Sequence, residues 1–143
     1  MRVVLTGVVV LMLATAAFFK IIYPVPVFKT FYLGVSLFEL GVAALLLCFS
    51  NKWQAWNCLF LIFFAWGGYS LYTTIMGLPC SCMGAALSLP RGLSFSINMG
   101  MVIGSWCVLK NFGKAHLRFI LLGLLAGLCG FISASIVYKY FNL

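Results

Sequence analysis

Few residues in this chain are able to do chemistry, and two of them stand almost side by side. Cys80 and Cys82 lie in Leu78-Pro79-Cys80-Ser81-Cys82-Met83-Gly84. A C-x-C pair has two chemical uses. As a disulfide it closes a very small ring, in a geometry that an S–S bond reaches only with strain. Strained bridges have high potentials and pass their oxidising equivalent on, as catalytic rather than structural disulfides do. As a metal site the pair supplies two thiolates, whereas zinc takes four ligands. The single histidine, His116, is expected in a loop across the membrane from the pair and does not complete such a site. A third reading gives the two thiols no shared role. The residues alone leave all three open and favour the redox dithiol.

The chain has six cysteines in all, and Cys48, Cys58, Cys107 and Cys129 sit singly in apolar sequence. These four are expected to pack as small hydrophobes within a helix bundle. Glu39 is the one acidic residue of the chain. It falls inside an apolar stretch, where a carboxylate is costly and either pairs or works. Its expected partner is Lys20. By helix rise, Lys20 sits about 4–5 Å inside the end of its stretch and Glu39 about 12 Å inside the next. A lysine stem bridges most of that difference. The alternative is that Lys20 snorkels to the surface and a protonated Glu39 bonds a backbone carbonyl. Asn98, also in apolar sequence, reads as a supporting polar anchor between helices. His116, flanked by Lys114 and Arg118, reads as a solvated loop residue. No residue is assigned as a resident metal ligand.

The elements that must position these residues are membrane helices. Of 143 residues, 65% are apolar and 7% are charged. A water-soluble domain carries about 25% charge, so lipid must solvate most of this surface. Five apolar stretches cover 3–23, 31–49, 55–76, 93–109 and 119–138; four have the ~20 residues that cross a bilayer, and the fourth is shorter. The expected fold is all-α, a polytopic bundle of four to five spans with five favoured, forming one integral membrane domain over 1–143. The fourth stretch contains Ser94, Ser96, Asn98 and Ser105 and is either a short span or a re-entrant segment. The first stretch begins like a secretory signal, but its apolar run continues past Ala14-Thr15-Ala16 to Tyr23, so it is read as a retained span. Gly100 and Gly104, together with Gly123, Gly127 and Gly130, are expected to allow close helix approach.

The net charge of +8 comes from nine Lys and Arg residues scattered singly. Without a basic run it is no nucleic-acid footprint. These residues orient the helices instead. With the N-terminus inside, Arg2, Lys52, Lys110, Lys114 and Arg118 face the cytoplasm, and Lys20, Lys29, Arg91 and Lys139 face out. Lys20 drops from the outer group if it lies within the membrane. The excess places the Cys80–Cys82 loop outside, in a bacterium on the periplasmic face of the inner membrane.

Taken in order, these features resemble the MauE/DoxX family, in particular its MauE-like branch. The first span ends in Phe18-Phe19-Lys20, and the second carries Phe38-Glu39-Leu40-Gly41. Pro79-Cys80-Ser81-Cys82-Met83-Gly84 is similar to that branch's C-x-C-F-G signature, with Met83 where Phe is usual. Leu93-Ser94-Phe95-Ser96-Ile97-Asn98 is similar to the segment that opens the family's next helix. The match covers about residues 1–110 and leaves the fifth span out. It implies a redox-associated membrane protein that helps form or maintain disulfides in exported proteins, with a periplasmic thioredoxin-like or thiol protein as partner. Cys80 and Cys82 would be the dithiol, and Lys20 and Glu39 the buried polar pair. Analogy to other membrane disulfide oxidases adds a quinone as electron acceptor. Two other classes stay open: a non-enzymatic membrane scaffold or assembly subunit, and a small soft-metal transporter using the C-x-C thiols as transient ligands.

Overall fold

A computed structural model describes residues 2–23, 29–78, 90, 92–114 and 116–141. These form five helices: α1 (Arg2–Ile22), α2 (Lys29–Phe49), α3 (Trp53–Ile75), α4 (Leu93–Asn111) and α5 (Leu117–Phe141). No strand occurs among the described residues. Each helix is long and apolar enough to cross a bilayer. The protein is a multi-pass helical membrane protein, as expected of a backbone that must satisfy its own hydrogen bonds in lipid. The observed helices reproduce the five apolar stretches, with ends that move by at most three residues.

The described chain divides into two compact units, one running through Ala55 and the other starting at Trp56. In the first, α1 packs against α2. Thr6, Val9, Leu13, Ala16, Ala17 and Lys20 form the buried stripe of α1. Ser36, Glu39, Val42, Ala43 and Leu46 form that of α2. Both stripes have the three-to-four-residue spacing of one helix face.

In the second unit α3 packs against both α4 and α5. Trp106 of α4 meets Phe60 with ring centroids 5.7 Å apart, and Asn98 meets Ser70, so α4 runs antiparallel to α3. Helix α5 runs parallel to α3: Gly123 lies against Phe60 and Phe64, Gly130 against Ala65, and Tyr138 against Tyr72. The α3–α5 seam is backbone on backbone. A Cβ on Gly68 would lie 1.8 Å from the Gly127 carbonyl oxygen, and one on Gly130 would lie 1.9 Å from that of Ala65. Small residues permit this approach, which favours dispersion and Cα–H···O contacts between helices. Gly100, by contrast, has nothing within 4 Å of an added Cβ. The close approach belongs to α5 and not to that end of α4.

The polar residues of the fourth stretch do not prevent it from forming a full helix. Ser94, Asn98 and Ser105 are buried with Val102, Val108 and Leu109 along one face of α4. Ser96 is exposed and returns its hydroxyl to the Gly92 carbonyl at 3.0 Å. Polar side chains are thus covered by protein or bonded to their own backbone, and α4 has the length and composition to span.

Candidate functional site

Cys80 and Cys82 lie outside the described residues, but the helix ends that lead to them are defined. Helix α3 stops in a tight C-terminal motif. The Gly77 N–H donates to the Thr74 carbonyl at 3.2 Å, and the Leu78 N–H donates to the Thr73 carbonyl at 2.9 Å. Gly77 has φ +68°, a left-handed conformation that glycine adopts without the strain of a Cβ. Two residues after Leu78 the chain reaches Cys80. On the far side of the loop, Gly92 starts α4 with φ +81°, and the Ser96 N–H donates to its carbonyl at 2.9 Å.

A polar cluster ties these two helix ends together. Asn98 Nδ2 of α4 donates to Ser70 Oγ of α3 at 3.2 Å. Ser70 Oγ in turn donates to the Trp66 carbonyl at 2.8 Å. Thr73 and Thr74 both turn their hydroxyls onto the Ser70 carbonyl, at 2.9 and 2.7 Å. Asn98 is legible in the sequence as an anchor between helices, whereas Ser70 is not. The run of hydroxyl residues Ser70, Thr73 and Thr74 near the end of an apolar stretch was the available signal. Close by, Tyr72 and Tyr138 place their ring centroids 6.0 Å apart, and Tyr69 and Tyr138 theirs 6.3 Å apart. Tyrosines at helix ends suit the headgroup level of a bilayer.

The structure brings Lys20 and Glu39 together. Lys20 Nζ donates to Glu39 Oε1, and the two side chains are only 5% and 4% exposed. The pairing stands in place of a snorkelling lysine. Two charges inside the bundle are tolerated because they neutralise each other, and each alone would be strongly unfavourable. Lys20 therefore leaves the set of loop charges.

The remaining cysteines depart from expectation. Cys48, Cys58, Cys107 and Cys129 are free and exposed, on outer helix surfaces instead of inside the bundle. Lipid is as apolar as a protein core, so nothing compels a small hydrophobe to turn inward. His116 is exposed ahead of α5. Its carbonyl accepts the Phe119 N–H at 2.9 Å, and its ring centroid lies 6.0 Å from that of Phe119. Among the described residues no three His, Cys, Asp or Glu side chains group as metal ligands. Comparison with protein-family models, curated proteins and solved structures finds no match to this chain.

Proposed function

We propose that this protein is a thiol–disulfide exchange protein of a bacterial inner membrane, acting through Cys80 and Cys82 on the periplasmic face. The partner is an exported thiol or thioredoxin-like protein. In the oxidising direction a partner thiolate attacks the Cys80–Cys82 disulfide, forms a mixed disulfide and releases one cysteine as thiolate. The partner's second thiolate then displaces the other cysteine. The partner leaves with one new S–S bond, and the pair is left as a dithiol holding the two electrons. A further cycle needs a two-electron acceptor, such as a lipid-soluble quinone, to take those electrons and restore the Cys80–Cys82 disulfide.

The observation that carries this reading is where the cysteines fall. In sequence the C-x-C pair follows the stop of α3, beyond Tyr69 and Tyr72 and outside the spanning helices. The other four cysteines lie within spanning helices. Charge supports the orientation. Lys20 is buried in its ion pair, so five alternating spans with the N-terminus inside would leave Arg2, Lys52, Lys110, Lys114 and Arg118 in cytoplasmic segments and Lys29, Arg91 and Lys139 in outer ones. The positive-inside rule then puts the Cys80–Cys82 loop outside. The resemblance to the MauE-like branch, with Lys20, Glu39 and Cys80-Ser81-Cys82 in the family's order, points the same way. Acid-trapped cells expressing Cys80→Ser or Cys82→Ser test it: one of the two should accumulate a reducible adduct with an exported protein. Recovery of both variants only as unmodified protein would remove the redox reading.

A further inference from the structure

The Lys20–Glu39 pair leaves part of its hydrogen-bonding capacity unused. An ammonium carries three N–H donors, and Lys20 Nζ directs one of them to Glu39 Oε1. The second carboxylate oxygen, Oε2, is buried and receives no hydrogen bond from any described residue. The hydroxyl groups that share the buried faces of α1 and α2 do not supply one. Ser36, one helix turn before Glu39, donates to the Tyr32 carbonyl at 2.8 Å. Thr6 lies on the stripe of α1 but about 21 Å along the helix from Lys20. A charged acceptor left without a donor inside a bundle is among the least favourable arrangements in a protein.

The chemistry of the two open positions narrows what completes them. An acceptor with no donor among the described residues, and an ammonium that directs one of its three N–H groups to the same carboxylate, belong to a pair whose charges cancel. A metal ion or an amine would meet the lysine charge, and a phosphate or carboxylate would meet the glutamate. A ketone or ether would serve Lys20 and leave Oε2 unmet. One neutral group does both jobs at a single atom. We infer that Lys20 and Glu39 bind a hydroxyl group, whose hydrogen goes to Glu39 Oε2 and whose oxygen accepts an N–H of Lys20. Water and the hydroxyl of a lipid-soluble alcohol or phenol share this chemistry. The site stands whether or not Cys80 and Cys82 exchange disulfides.

The composition makes the test direct. Glu39 is the only Asp or Glu in the chain, so full-length protein made with 13C in the glutamate side-chain carboxyl gives one such resonance. The protein is placed in deuterated lipid bilayers and studied by solid-state NMR. If water is the occupant, polarisation passes from water protons to the Glu39 carboxyl carbon. If a lipid-soluble hydroxyl is the occupant, 4-octylphenol shifts that resonance saturably, and binds about tenfold or more tightly than its methyl ether, 4-octylanisole. Either result supports the site. A resonance that receives no polarisation from water, and that responds alike to phenol and ether, overturns it.

Discussion

Replacing Gly130 with alanine should loosen α5 from α3. A Cβ at Gly130 lies 1.9 Å from the Ala65 carbonyl oxygen and 2.7 Å from its carbon. A carbon and a carbonyl oxygen in contact sit about 3.3–3.6 Å apart, so the two backbones must part by roughly 1.5 Å at this point. A gap of about 0.5–1 Å already forfeits a quarter to a half of the dispersion attraction across a contact. The opening also affects neighbouring contacts, because Gly127 and Gly123 pack on Phe64 in the same seam. Overpacking costs roughly 1–3 kcal/mol, and the upper end applies where backbone meets backbone. Alanine returns about 1 kcal/mol of helix propensity. The net loss should be about 2 kcal/mol. Gly100→Ala is the internal control, since its Cβ meets nothing within 4 Å, and it should gain up to about 1 kcal/mol. Unfolding by SDS in mixed micelles, followed by far-UV circular dichroism, should separate the two variants by about 3 kcal/mol. Equal stabilities, or Gly130→Ala the more stable, would refute the backbone seam.

Two further outcomes follow from side-chain contacts, and a third from the proposed orientation. Lys20→Met or Glu39→Gln should each cost about 3–5 kcal/mol by stranding a buried partner, and the double variant should cost much less than their sum; simple additivity in detergent melts would mean that the two residues do not interact. Asn98→Leu removes the α3–α4 hydrogen bond while Ser70 keeps its own acceptors, so the loss should be about 0.6 kcal/mol and no more than about 1.7. A loss above about 3 kcal/mol would show that Asn98 does more than join two helices. In a chain cleared of its native cysteines, a membrane-impermeant maleimide should label a cysteine placed at Ala85 and spare one at Ala115, and the opposite pattern would invert the topology.

The helices were legible in the sequence because lipid imposes both length and composition on a span, and five apolar runs near that length admit few arrangements. The Lys20–Glu39 pair was legible for a related reason. A lone carboxylate in hydrocarbon has to find a partner, and Lys20 is the cation at the end of the preceding span. Which glycines make a close seam was not legible. Gly100 with Gly104, and Gly123 with Gly127, carry the same four-residue spacing, and only packing decides which face meets a neighbour. The exposure of Cys48, Cys58, Cys107 and Cys129 was hidden for a converse reason: in lipid an apolar residue gains nothing by facing inward, so side-chain type does not report direction. Ser70 alone carries no such signal, because any hydroxyl in a helix can bond its own backbone. Its second role, as acceptor for Asn98, depends on the register between α3 and α4.

The most direct measurement of the thiol-exchange claim is the fraction of an exported reporter thiol protein recovered oxidised from cells, after acid quenching and alkylation. Three chains are compared: the native protein, one with serine at Cys80 and Cys82, and one with serine at Cys48, Cys58, Cys107 and Cys129. Exchange needs an accessible thiolate with a resolving sulfur beside it, so the native chain and the one keeping only Cys80 and Cys82 should oxidise the reporter equally. The double-serine chain should leave it reduced while inserting into the membrane normally. Full oxidation of the reporter by the Cys80→Ser, Cys82→Ser chain would contradict the assignment and leave the protein a scaffold without thiol chemistry.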